Sequence, residues 1–142
     1  MIPRPDLLDP DSPDLLEVYQ LTTGPLPSCH IYMEAQIFSP CSRYFLLHES
    51  AVPHGSQSDD PRHRYLLCEV ETGCLTPVTD EIGATAPSVS PCGRYFYYFV
   101  TPSGFYSNLL HGRVILRRRK LDGSEPVDIL TLDGPIPGPR FR

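Results

Sequence analysis

The chain has 142 residues, of which 40% are hydrophobic and 20% charged, a balance that fits one globular domain. Its net charge of −5 argues against a general nucleic-acid-binding protein, because such proteins present a basic face. With 17 prolines and 10 glycines, the sequence favours short strands and turns over long helices.

The first half of the chain predicts a loose N-terminal arm followed by strands. Residues 1–15 form the arm, which lacks the basic start and apolar core of a signal peptide. Residues 17–22 alternate polar and apolar side chains, and we assign them to the outer strand of a closing blade. Further strands are predicted at 29–38, 44–49, 64–70 and 74–79, with a long polar loop at 51–63.

The second half repeats this order. Strands are predicted at 84–89, 95–100, 113–121 and 127–132, with a long loop at 101–112 and a tail at 139–142. No stretch approaches 18 apolar residues, so no membrane span and no membrane partner are expected.

One seven-residue phrase occurs twice, and the two copies are 51 residues apart. Ser39-Pro40-Cys41-Ser42-Arg43-Tyr44-Phe45 returns as Ser90-Pro91-Cys92-Gly93-Arg94-Tyr95-Phe96. Proline in second place and serine or glycine in fourth suit a tight turn between two strands. A strand-rich repeat of about 50 residues is typical of β-propeller blades. The predicted fold is therefore all-β, with two four-stranded antiparallel blades of a partial propeller, at about 29–79 and 84–132 within a domain of residues 16–138.

Two blades are fewer than the four to eight of a propeller, so two sheet faces would lack a neighbour. Each bare face would leave about four to six apolar side chains uncovered, each worth roughly 1.5–3 kcal/mol of burial. The chain is expected either to be part of a longer propeller or to self-associate through its exposed blade faces. The first alternative is favoured because the sequence shows no capping segment.

The five cysteines have irregular spacing and no Cys-x-x-Cys pair, which predicts free thiols in a reducing compartment rather than a zinc ribbon. One basic run covers Arg117-Arg118-Arg119-Lys120. We interpret it as the solvent side of a strand and its end, with a phosphate- or uronate-binding patch as the alternative.

The histidines are predicted at one rim, because the loop before the inner strand of a blade and the loop between its second and third strands leave the same end. His30 begins the first inner strand and is expected to face the central channel. Concave propeller ends are natural ligand sites, and arginines there can hold a carboxylate bidentately. The candidate substrate-binding residues are His30, Arg64, His111 and Arg113. An ordinary surface role is the alternative for the arginines and for His54, His63 and His111. Tyr44, Tyr95, Tyr97 and Tyr98 are interpreted as packing residues rather than as a platform for a sugar.

The segment from Cys29 to Pro40, preceded by Leu21-Thr22 and followed by a strand ending near His48, resembles the start of oligogalacturonate lyase. That family is a seven-bladed propeller related to the repeats of the periplasmic protein TolB. The blade phrases are common to TolB-like propellers, and only the Cys29-His30 segment points to the lyase.

The resemblance implies β-elimination on pectin-derived oligogalacturonate in the cytoplasm, with manganese and basic side chains holding the substrate carboxylate. The metal ligands of the family lie in later blades, so no catalytic or metal-binding residue is assigned here, and whether the chain is an enzyme stays open. The alternative is a non-catalytic TolB-like propeller module that binds a protein or a saccharide.

Overall fold

The computed structural model describes residues 1–32, 34–52, 59–101, 109–110, 112–134 and 136–137. Within these ranges the chain forms short strands and one 3-10 helix at Pro5–Leu7. The strands are β1 (Ile2–Pro3), β2 (Tyr19–Gln20), β3 (Ser28–His30), β4 (Tyr44–Glu49), β5 (Arg64–Glu69), β6 (Leu75–Pro77), β7 (Ala84–Val89), β8 (Tyr95–Val100), β9 (Leu109–Leu110), β10 (Arg113–Lys120), β11 (Val127–Asp133) and β12 (Ile136–Pro137).

Two four-stranded antiparallel sheets make up most of the fold. The first has the order β3-β4-β5-β6 and the second the order β7-β8-β10-β11. Two small pairs accompany them, β1 with β2 and β9 with β12. The all-β prediction and the two four-stranded antiparallel sheets are confirmed.

Three strands next to the repeated turns match their predicted ranges, whereas the first inner strand does not. β4, β7 and β8 have the predicted limits. The strand predicted at 29–38 is wrong in length, because β3 ends at His30. The chain then makes a turn in which the amide of Ala35 donates to the carbonyl of Tyr32 at 2.9 Å. Only a bridge from Phe38 to Phe45 rejoins the sheet.

The two sheets pack face to face around one apolar core. Leu46, Tyr65 and Val78 of the first sheet meet Val89, Phe96 and Tyr98 of the second, all with at most 3% of their surface exposed. Phe96 and Tyr98 stack with ring centroids 5.2 Å apart. Burial of these large side chains is the main source of cohesion between the sheets.

The 51-residue offset extends beyond the repeated turn into the strand pairing. Tyr44 lies opposite Glu69 and Tyr95 lies opposite Lys120, so the offset holds on β5 and β10 as well. Alternation along a strand sends Tyr44, Leu46 and His48 toward the second sheet. The equivalent residues Tyr95, Tyr97 and Phe99 therefore face away from the first sheet, so the sheets are stacked front to back.

The N-terminal arm, together with the segment that follows it, covers the far side of the first sheet. Leu47, Leu66 and Cys68 form a second apolar cluster there, against which Leu21 packs. Met1 reaches the hairpin turn, where a Cβ added to Gly73 would lie 2.3 Å from Met1 Cγ. The expectation of two bare faces with no capping segment is therefore wrong for the first sheet.

Among the residues that the structure describes, large apolar side chains are exposed on the far side of the second sheet, which is called the open face below. By the register of β8, β10 and β11, this face carries Phe99, Leu130 and Leu132. These side chains are 41%, 50% and 46% exposed. A contiguous row of exposed large apolar side chains on a monomer marks an interaction surface more often than chance.

Candidate functional site

The two repeated turns have the same backbone. The amide of Ser39 donates to the carbonyl of Tyr44 at 2.9 Å, and Ser90 makes the same bond to Tyr95 at 2.9 Å. The fourth residue is left-handed in both, with φ of 57° at Ser42 and 67° at Gly93.

Their one sequence difference has a steric reason. A Cβ at Gly93 would lie 2.8 Å from Cδ of Pro40, so glycine lets the second turn pack on the first. The turns thus meet at one end of the sheet pair.

The charges around the two turns differ. In the first sheet, Glu69 accepts a hydrogen bond from the hydroxyl of Tyr44 at 3.4 Å and pairs with Arg43 at 3.5 Å. In the second sheet Lys120 takes the place of Glu69. Arg118 stacks over the Tyr95 ring, 4.4 Å from its centroid. The tyrosine at the turn therefore has a carboxylate paired with an arginine beside it in the first sheet, and two cationic side chains beside it in the second.

A cleft of about 540 Å³ opens at this end of the sheet pair and is lined by residues of both sheets. The first sheet lines it with Tyr44 and Leu67, and the second with Arg94, Tyr95 and Lys120. Small-molecule sites in proteins typically enclose about 300–1,000 Å³. The cleft is therefore large enough for a small ligand.

Exposed thiols lie beside the turns. Cys41 and Cys92 are 3.3 Å from the hydroxyls of Ser39 and Ser90. The hydrogen bond with Ser90, followed by bonds with Arg94, lowers the pKa of the Cys92 thiol to about 7. The pKa of Cys41 is also lowered, first by Ser39. All five cysteines are free thiols in the structure.

The opposite end of the first sheet holds a Cys-His pair in which the histidine is buried and the cysteine half-buried. Sγ of Cys29 lies 3.2 Å from Nε2 of His48. The rings of His48 and His63 are 5.7 Å apart, and the His63 ring meets Tyr65 edge to face at 5.2 Å. Both histidines are buried. Burial lowers the pKa of each, so neutral imidazole is favoured at this end.

The predicted substrate-binding residues are distributed over both sheets. His30 is exposed, and its Nδ1 lies 2.6 Å from the carbonyl oxygen of Ile31. Arg64 pairs with Glu49 at 2.5 Å, and Arg113 pairs with Asp133 at 3.0 Å. His111, like His54, lies outside the described residues. The substrate-binding role of His30, Arg64, Arg113 and His111 stays a prediction.

The basic run does not lie on the solvent side as predicted. Alternation turns Arg117 and Arg119 toward the first sheet, and their side chains are only 21% and 12% exposed. Both pair with Glu81, at 3.1 and 2.9 Å. Arg119 also bonds the hydroxyl of Tyr98 at 2.8 Å. The prediction was wrong for these two arginines because the loop after β6 supplies the counter-charge.

Glu81 is the acidic centre of this network. Burial alone would raise the pKa of its carboxyl group. Glu81 accepts hydrogen bonds from the Tyr98 hydroxyl and from the Asp80 amide. Together with the charge of Arg119, these bonds outweigh burial and lower the pKa of the Glu81 carboxyl group to about 2. The network therefore stays ionised at neutral pH and joins the second sheet to the loop between the sheets.

The described residues do not fit a metal ion. In ranges 1–32, 34–52, 59–101 and 112–134, no three His, Cys, Asp or Glu side chains come together so as to hold one. The described part of the chain also has no helix long and apolar enough to cross a membrane.

Four-stranded antiparallel meanders stacked front to back, with one turn repeated in each, define β-propeller blades. Among solved structures, the chain is similar to TolB from Acinetobacter baumannii, with a TM-score of 0.50 and 14% sequence identity. The match covers 78% of this chain and 23% of the TolB chain, so the chain spans about a quarter of that protein's length. No family model and no curated protein matches the sequence. The chain therefore folds as two blades of a TolB-like β-propeller, and the similarity establishes its fold alone.

Proposed function

We propose that the chain is a non-catalytic propeller module that binds a further four-stranded blade on the open face of its second blade. The observation that carries this proposal is the equivalence of the two inter-blade faces. Leu46 and His48 of the first blade are buried under the second. Their equivalents at the 51-residue offset, Tyr97 and Phe99, lie on the bare face, and Phe99 is 41% exposed.

The partner is identified by that equivalence. A blade already covers these positions once within the chain, and the same sheet geometry is presented a second time. In a solution of this chain alone, the further blade is the second blade of another copy, meeting open face to open face, because the far side of the first blade is already covered. The face of one blade is smaller than the ~800 Å² per partner of a standard interface, so we expect weak association, with a dissociation constant between about 1 µM and 1 mM.

Sedimentation velocity over that concentration range tests the proposal. The chain should form larger species as its concentration rises. Phe99→Lys combined with Leu132→Lys should keep it monomeric, because each lysine would place a charge in the contact. A chain that stays monomeric up to about 1 mM overturns the proposal.

Leu15→Lys is the matched control. Leu15 is 95% exposed on the N-terminal arm, away from the open face. This variant should associate like the unchanged chain. If it loses association as the double variant does, general surface hydrophobicity rather than the open face causes the association.

A uronate-eliminating activity is the second candidate, and it is supported by the resemblance of the Cys29-His30 segment. Oligogalacturonate as partner, manganese as cofactor, no nucleic-acid partner and a cytoplasmic location are proposed together with this activity. No metal ligand is assigned in this chain, so no reaction step is derived. The test is the ultraviolet absorbance of unsaturated uronate after mixing the chain with oligogalacturonate and manganese, with His30→Ala as the variant. Absence of any absorbance increase would remove this candidate.

A further inference from the structure

We propose that the cleft at the two repeated turns binds a small organic anion, held by Arg94 and Lys120 with its ring against the apolar lining that includes Tyr44 and Tyr95. This site goes beyond the proposed assembly. It is built from the two blades already in the chain and does not require a third.

The first argument is the unbalanced charge. Arg43 in the first turn pairs with Glu69 at 3.5 Å. Its equivalent Arg94 pairs with no carboxylate among the residues that the structure describes, and its side-chain partner there is the Cys92 thiol, which is only partly ionised at neutral pH. Its guanidinium lies over the Tyr95 ring, 5.7 Å from the centroid. A second guanidinium, that of Arg118, stacks on the same ring at 4.4 Å.

The acids near the cleft leave this cationic character in place. Asp122 also lines the cleft, and bonds from the amide and hydroxyl of Ser124, at 2.9 and 2.6 Å, keep its carboxylate ionised. The three cations at this end, Arg94, Arg118 and Lys120, outnumber it and Glu125. Lys120 pairs with Glu125, whose side chain is 63% exposed. An anion in the cleft would therefore compete with one exposed ion pair, which is worth little in water.

The second argument is the shape and lining of the cleft. Its volume of about 540 Å³ suits one small molecule. Tyr44, Leu67, Tyr95 and Leu121 supply apolar surface for a ring. A guanidinium presents a fork of donors that matches a carboxylate or a phosphate bidentately. The ligand class is thus a ring compound carrying one of these two groups.

The test uses phenyl phosphate and benzoate as probes, with benzyl alcohol as the neutral analogue. Titrations of the full chain are followed by amide shifts in two-dimensional NMR. Both anions, or one of them, should bind more tightly than the alcohol and more weakly as salt is added. Comparison of the two anions shows whether phosphate or carboxylate is preferred. Equal binding of the alcohol and the anions overturns the proposal.

Variants at equivalent arginines make the test specific. Arg94→Gln should weaken anion binding by about tenfold or more, since hydrogen bonds to charged groups are the stronger ones. Arg43→Gln is the matched control and should bind normally, because Glu69 already neutralises Arg43. Equal losses in the two variants, or no loss in Arg94→Gln, contradict the site.

Folding and assembly are separated from binding in the same experiment. Arg94 is an exposed surface residue, so its variant should retain the amide spectrum of the folded chain. Lys120→Gln provides an independent second variant, also expected to bind the anion less tightly. The assembly variant Phe99→Lys/Leu132→Lys should bind the anion normally, so a failure of assembly does not remove this site.

Discussion

In the part of the chain that the structure describes, the first blade is covered on both faces and has a paired arginine at its turn, whereas the second is covered on one face and cationic at its turn. The arm and the second blade enclose the first, with Leu21 packed on its far side. The second blade leaves Leu130 half exposed on its far side. Where the first has Glu69, the second has Lys120.

The two blades also differ in the buried residues at positions 51 residues apart. The far-side cluster of the first blade contains Leu66 and Cys68. The equivalent positions of the second blade are Arg117 and Arg119, which meet Glu81 between the blades. One strand scaffold thus carries an apolar layer in one copy and an ion network in the other. The repeat fixes the backbone, while the neighbouring segment decides which side chains it can bury.

The largest expected effect comes from the two phenylalanines of the repeated phrase. Phe96 is fully buried in the core between the blades, whereas Phe45 is only partly buried and stacks on the exposed Phe38. Phe96→Ala should lower the free energy of unfolding by about 3–5 kcal/mol, and Phe45→Ala by about 1–2 kcal/mol. Urea denaturation monitored by circular dichroism measures both. Equal losses would mean that the inter-blade core is no better packed than the far side.

A smaller effect is expected from exchanging the one residue that differs between the turns. Gly93→Ser adds a Cβ 2.8 Å from Pro40 Cδ at a φ of 67°, and should cost about 1–2 kcal/mol. Ser42→Gly removes a side chain from a left-handed position, which glycine adopts without steric strain, and should change stability by less than about 0.5 kcal/mol. The same denaturation assay compares them. A tolerated Gly93→Ser would show that the two turns can separate without loss.

The sequence predicts the blades well and the cleft poorly, for physical reasons. β4 and β8 start at the repeated turn, which sets their register, so their limits follow from the residues. The run at 29–38 is apolar nearly throughout, and such a run determines neither a face nor an end. This is why the turn after His30 was missed.

The sequence places Arg94 in a turn and favours a packing role for Tyr95. Their place beside a cationic cleft follows only from their neighbour Lys120. That strand partner becomes visible only when the 51-residue offset is carried across to β10. The inward direction of Arg119 was equally hidden, since its partners in the loop at Asp80 and Glu81 carry no motif.

The smallest effect is a pH dependence confined to the first blade. His48 and His63 have lowered pKa values in the folded chain, chiefly through burial, and unfolded histidine titrates near 6.5. Below about 6.5 the unfolded chain binds more protons than the folded chain, so stability falls as the pH drops toward the lowered values. Cys29 and His30 face this pair, and Asp60 raises the pKa of His63 only in part.

The second blade supplies the matched substitutions for this test. The residues equivalent to His48 and His63 are Phe99 and Val114. His48→Phe combined with His63→Val should remove that share of the pH dependence between about 6.5 and 5. Thermal unfolding at a series of pH values, compared with the unchanged chain, measures it. The slope below pH 5 should persist in both, because the lowered pKa of Glu81 makes stability fall further as that carboxylate is protonated toward about 2. If stability still falls as steeply between pH 6.5 and pH 5 in the double variant, the titration belongs to groups outside the histidine pair. The contrast between the two blades would then lie in the turns alone.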